Sequence, residues 1–263
     1  MQTRPAPRLE EPAPRLERTA RDTRRTAARF DWIKLIVLGG AIIALAPVLP
    51  ILSHGFDPFF AILIVPPLIG LVLIRFARKT GIVWLGVVSL ALLVMSAGFI
   101  PDALMHPESP SDFVPVTMLT VGGLLAISAV VPAFRAARGR ATGSILPMVL
   151  GGSGLALVVV AMAVSMVAKG TIASDAPAVG STVVAMEDFA FGPEIINAES
   201  GEVTLYVTNN DSARHTFTVD ELGVDVSIAP GQSRQITFDA GAGEYRFYCK
   251  PHDPGMEGDL VVR

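Results

Sequence analysis

The chain has 263 residues, a formal net charge of −3, a composition that is 51% hydrophobic and a mean hydropathy of +0.52. So apolar an average lies beyond what soluble domains carry and requires a membrane part. The single cysteine, Cys249, excludes an intrachain disulfide, so cysteine usage says nothing about the redox compartment.

Residues 1–30 repeat "PAPRLE" at 5–10 and 12–17 among many Arg, Pro and Ala. With so few apolar side chains to bury, they predict a disordered, basic cytoplasmic tail. From Trp32 to Ala168 five apolar runs approach the length of about 20 residues that crosses a bilayer. They cover 32–53, 58–75, 81–100, 113–134 and 145–168. The loops between them divide sharply by charge. Of the 21 basic residues, 15 precede or open the first run, follow the second, or follow the fourth, whereas "SHGFD" and "PDALMHPESPSD" have none. The Lys/Arg bias therefore predicts five spans with the N-terminus inside and the C-terminus outside, in a multi-pass cell-membrane protein. The first run follows too long a charged tail, and is itself too long, for an ordinary signal peptide, and is read as retained.

No histidine occurs inside the runs, and acids stand only at their edges, as with Asp31, Asp57, Asp102 and Asp112. A haem site, proton relay or charged substrate site would need such groups at membrane depth. Small residues recur instead, as in "GGAIIALA" and "VGGLLAISA", where helices can approach closely. Pro66 and Pro67 should bend the second span. The bundle at 31–168 reads as a self-packed anchor or docking platform; the alternative is a lipid, quinone or transport role that leaves no mark in the sequence.

Past a small, polar linker at 169–180 the pattern changes to short alternating segments separated by Gly, Pro, Asn and Asp. Seven or eight short strands in about 84 residues predict a β-sandwich over 181–263. Val203, Leu205 and Val207 share one face, as do His215, Phe217 and Val219, and Tyr245, Phe247 and Cys249. Cys249 ends one strand facing inward, and His215 starts another, so both can meet at one pole of the sandwich.

"YCKPHDPGM", 248–256, holds that cysteine, His252 and Met256 around two prolines and a glycine, which favour a tight turn. With His215, the set is two imidazoles, a thiolate and a thioether, as in a blue-copper site. A buried structural Cys and a gap-filling Met are the plain alternative. Zinc would prefer another thiolate, imidazole or carboxylate to a thioether, and no second Cys exists to bridge a binuclear copper centre.

Residues 181–263 resemble the plastocyanin/azurin type of cupredoxin: "FAFGPEIINAESGEVTLYVTNNDSARHTFTV" is similar to its first half and "PGQSRQITFDAGAGEYRFYCKPHDPGMEGDLVV" to its second. No family is recognised for the five spans. The resemblance implies a Greek-key all-β sandwich holding one type 1 copper ion on His215, Cys249 and His252, with Met256 as a weak axial ligand. The chain departs from many relatives by placing Thr216, not Asn, after the first histidine, where Asn helps tie the ligand loops together.

The expected function is electron transport: a membrane-anchored copper protein moving single electrons between redox partners on the outer face, and not an enzyme. The alternatives are copper handling, or a copper subunit of a larger membrane oxidoreductase complex. Copper handling usually brings clustered Met or His, and the sandwich has only Met186 and Met256. From Gly180 to Arg263 there are 14 Asp and Glu against 5 Lys and Arg, a net charge of −9. An acidic port at Asp253, Glu257 and Asp259 beside His252 would suit a basic-rimmed redox protein, such as a c-type cytochrome or an oxidase. No nucleic-acid partner is expected. His54 and His106, both in outward loops, could form a second site facing the domain.

Overall fold

The computed structural model describes residues 31–54, 58, 60–140, 144–171 and 173–263. The basic tail lies outside the described residues. A helical region comes first and a β-sandwich second, as the residue patterns predict.

Helix α1 (Trp32–Leu45) starts where the Asp31 carboxylate accepts the Lys34 N–H at 2.9 Å, satisfying one of the orphan amides of the first turn. A turn at Ala46 and Pro47 separates it from α2 (Val48–His54), so the first apolar run is two helices, not one. Proline lacks the N–H that a continuous helix needs there. Then follow α3 (Phe60–Phe76), α4 (Arg78–Ser96), the short α5 (Ile100–Met105), α6 (Pro110–Ala136) and α7 (Leu146–Thr171).

Among the described residues, four stretches are long and apolar enough to cross a membrane: Trp32–Leu52, Arg78–Ser96, Pro110–Ala136 and Leu146–Thr171. The second expected span, α3, has 17 residues, about 25 Å of helix at 1.5 Å per residue against a hydrocarbon core of about 30 Å. It carries Pro66 and Pro67 in its interior, and the Trp84 indole N–H donates to the Pro66 carbonyl at 2.8 Å. The small residues are where helices meet. A Cβ on Gly39 of α1 would stand 2.6 Å from the Gly122 carbonyl oxygen of α6, so only glycine permits that approach.

Helix α7 runs three residues past the expected boundary, and 173–181 has no regular structure but is not loose. Asp175 N–H donates to Ser233 O at 2.9 Å, its carboxylate accepts the Gln235 N–H at 3.0 Å, and its carbonyl accepts the Tyr206 hydroxyl at 3.1 Å.

Nine strands follow, because the sandwich also uses two very short ones: β1 (Thr182–Glu187), β2 (Ala190–Gly192), β3 (Ile195–Ala198), β4 (Gly201–Asn209), β5 (His215–Val219), β6 (Val224–Ile228), β7 (Ser233–Ala240), β8 (Gly243–Tyr248) and β9 (Glu257–Val262). One sheet has the order β2-β1-β4-β7 and the other β3-β9-β8-β5-β6. Alternation sets the register: in the antiparallel β4–β7 pair Val203 faces Phe238 and Leu205 faces Ile236. Phe191, Phe217 and Phe247 fill the space between sheets, with ring centroids 5.0–6.0 Å apart. Gly258 on β9 lets Phe247 lie down, since a Cβ there would be 2.4 Å from the ring. The five residues of β5 are all buried, a strand covered on both faces.

Candidate metal centre

His215 is the first residue of β5, and Cys249 directly follows β8, its neighbour in the same sheet. Both side chains are fully buried, at the pole foreseen from alternation. After Cys249 the chain makes a short 3-10 turn, Lys250–His252, closed by His252 N–H to Cys249 O at 3.1 Å and by Met256 N–H to His252 O at 3.1 Å. Cys249 N–H in turn donates to Met256 O at 3.0 Å. The turn thus returns both His252 and the buried Met256 to the cysteine.

Three donor atoms converge. His215 Nδ1 and His252 Nδ1 are 3.1 Å apart, and Cys249 Sγ is 3.5 Å from the first and 3.4 Å from the second. A point equidistant from such a triangle lies about 1.9 Å from each atom, close to the roughly 2.0–2.3 Å at which imidazole nitrogen and thiolate sulfur bind a metal. The donor chemistry, soft sulfur plus imidazole, fits copper.

Hydrogen bonds behind these atoms orient them. His215 Nε2 lies 2.8 Å from Asp211 Oδ2, which places the ring proton on Nε2 and leaves the Nδ1 lone pair toward the shared point. Burial alone would raise the Asp211 carboxyl, but N–H donation from Phe189, the His215 bond and N–H donation from Asp188 hold it below the usual 3.8. Those two amides, at 2.9 and 3.1 Å, belong to residues with positive φ, 54° for Asp188 and 60° for Phe189. For Phe189 this conformation is costly, and the shared carboxylate offsets the strain. The result places the Phe189 ring edge-on to both imidazoles, at 5.5 Å from His215 and 4.8 Å from His252. Buried Asn209 braces the loop, its Nδ2 donating to Ala213 O and Ile228 O and its Oδ1 accepting the Asp211 N–H.

Thr216 supplies the tie for which many relatives use Asn. Its N–H points to Cys249 Sγ at 3.4 Å, and its hydroxyl oxygen accepts the Lys250 N–H at 2.9 Å. Burial pushes the Cys249 thiol up from its ordinary value, against the Thr216 N–H, so a cation entering the site must displace a proton.

Asp211 and Phe189 escaped sequence reasoning. The signal available was an acid four residues before a candidate ligand histidine; nothing local marks Phe189. Two of the three acidic residues foreseen beside His252 are engaged: Arg246 pairs with both Asp253 and Glu257.

The pole that carries His215, Cys249 and His252 faces the helices. Ser111 Oγ donates to Ser212 O at 2.5 Å, Arg214 N–H lies 3.4 Å from Asp112 Oδ2, and the buried Arg214 guanidinium pairs with Asp102. His106 lies in the same region, its Nδ1 2.8 Å from the Glu108 carboxylate. His54's side chain lies outside the described residues.

A family model described as "Cupredoxin-like domain" matches residues 154–262. The chain is 31% identical over 86 residues to the chloroplastic plastocyanins of Chlamydomonas reinhardtii and of Tetradesmus obliquus, in each case over 28% of this chain and 58% of the relative. It therefore spans less than two thirds of those two relatives. With plastocyanin of Vicia faba it shares 33% identity over 88 residues, 28% of this chain and 87% of the relative. Among solved structures, a reduced mutant form of amicyanin is 22% identical and covers 35% of this chain and 90% of amicyanin, with a TM-score of 0.31. Through its C-terminal β-sandwich the chain belongs to the plastocyanin-like cupredoxin family, whose cofactor is a single copper ion.

Proposed function

We propose that the chain is a membrane-anchored electron carrier in which His215, Cys249, His252 and axial Met256 hold one type 1 copper ion. The carrying observation is the triangle of one sulfur and two nitrogens, 3.1–3.5 Å on a side, with His215 braced by Asp211 and Cys249 by the Thr216 N–H. Bound there, copper supplies a one-electron couple. The chain's contribution is rigidity: Asp211 fixes the His215 tautomer, Thr216 joins the two ligand segments, and burial keeps water from Cys249. Two imidazoles, a thiolate and a thioether leave no open coordination position on the metal, which favours electron carriage over substrate chemistry at the ion.

Titration of the intact, metal-free chain with Cu(II) should give an intense absorption band and a narrow-hyperfine EPR signal. Cys249→Ser should abolish both, whereas Met256→Leu should keep copper and raise its potential. A colourless, tetragonal copper spectrum from folded protein would remove the proposal.

We read 31–168 as the anchor and 181–263 as the electron-transfer domain, with the tail inside and the domain outside. The loop charge bias supports this orientation, and it requires α3 to cross despite its 17 residues. A cysteine at Met105, 75% exposed, should react with an impermeant thiol reagent on intact cells, and one at Thr80 should not. The reverse labelling pattern would turn the copper domain inward. A redox protein with a basic rim, of the c-type cytochrome or oxidase kind, remains the proposed exchange partner, drawn by the domain's net charge of −9.

A further inference from the structure

A cavity of about 890 Å³ lies between the metal pole and the helices. Its helix-side wall is apolar, built in part by Ile43, Leu63, Leu92 and Leu119 from α1, α3, α4 and α6. The opposite end is polar and includes Asp102, His106, Asp112 and Arg214, with His252 of the metal centre on the same wall. This volume lies within the roughly 300–1,000 Å³ of small-molecule sites, and an apolar lining with a few convergent polar groups is their usual construction.

The electrostatics narrow the occupant. Arg214 is the only Lys or Arg among the described lining residues, and its guanidinium is committed to Asp102. Asp112 adds a second carboxylate, one oxygen of which accepts from Ser109 Oγ at 2.5 Å while the other has no hydrogen bond among the described residues. An anionic headgroup would meet this excess of acid without a spare cation, so the polar end favours a neutral head that can donate hydrogen bonds. His106, backed by Glu108 at 2.8 Å, can exchange a hydrogen bond with a ring hydroxyl or carbonyl. Phe60, Phe99 and Phe189 also border the space and suit a flat ring.

We propose that this cavity binds a membrane quinol, its ring among His106, Asp112 and His252 and its apolar tail along the helices. Among neutral membrane-soluble molecules with a hydrogen-bonding head, a quinol is the class for which a metal-ligand histidine on the wall has a chemical use. The inference rests on the copper-carrier reading for its purpose, but not for its test.

The full chain, stripped of copper with a chelator, is placed in nanodiscs of neutral phospholipid and titrated with a short-tail benzoquinol, with empty nanodiscs as the partition blank. Saturable one-to-one binding is expected. Ala103→Trp, which fills the cavity, should weaken it by roughly tenfold or more, and His106→Ala should weaken it by about tenfold, the loss of one good hydrogen bond. If circular dichroism shows that Ala103→Trp does not fold, the His106→Ala isotherm decides. Uptake indistinguishable from the blank, or saturable binding that neither variant alters, would overturn the site. Stoichiometric phospholipid retained by the purified chain and released by Ala103→Trp, without quinol binding, would overturn the ligand class. Because the isotherm needs no copper, failure of the metal centre would appear separately, as missing colour.

Discussion

The helical region and the β-sandwich differ most in what they turn outward. In the helices small residues allow the closest approaches, with Gly39 against Gly122 and Gly86 against Val130, beside buried Leu35, Ile36 and Leu85, while Val72, Val94 and Met166 present apolar side chains outward as well. In the sandwich the bulky residues Phe217, Phe247, Met186 and Leu205 are the interior, and charged residues such as Asp225, Arg246 and Glu257 lie outside. The difference teaches which solvent each part is shaped for. Water drives large apolar groups together, whereas a lipid-like surrounding offers no such drive, so helix association there depends on close packing through small residues.

The contrast can be broken from either side. Phe217→Ala should cost the sandwich about 3–5 kcal/mol, as a large buried ring leaves a void, and should lower the thermal midpoint of copper release. Gly39→Leu should act on the bundle by overpacking, at about 1–3 kcal/mol or more, and be seen as loss of monodisperse protein in mild detergent with the copper spectrum retained. If Gly39→Leu lowered the thermal midpoint of copper release as far as Phe217→Ala does, the two regions would not be separate folding units.

A smaller effect should come from Thr216→Val, which keeps the shape but removes the acceptor of the Lys250 N–H. About 1 kcal/mol of stability should be lost, and the copper absorption band should shift because the two ligand segments are less firmly joined. An unchanged band and midpoint would show that Thr216 is not the tie.

The smallest concerns acid. The Lys250 ammonium, bonded to Asp225 at 2.5 Å, holds the Asp225 carboxyl below its ordinary 3.8 even against the desolvation that raises it. A depressed folded value means that Asp225 adds stability above 3.8 and loses it as pH falls through the lower folded value. The pair is half exposed, so less than about 1 kcal/mol is at stake. Asp225→Asn should therefore slightly lower the midpoint at neutral pH and converge with the parent in acid. A constant gap at every pH would refute the charge-based account.

Residue order alone was enough for the apolar runs, the alternation of the strands and the four soft side chains His215, Cys249, His252 and Met256, since each depends on short-range periodicity or on a turn of a few residues. Even there the break at Pro47 and the short α3 were blurred by uniform hydrophobicity, which marks a run without marking where a helix stops. What only the tertiary structure decided comes from residues about a hundred positions apart. Ser111 meets Ser212 and Asp102 meets Arg214, and these contacts turn the pole that carries His252 toward the helices and border the cavity beside it. Asp211 and Phe189 became part of the site for the same reason: a carboxylate captures two amides 22 and 23 residues earlier in the chain, a pairing that no local pattern encodes because its energy depends on the closed sandwich bringing the groups together.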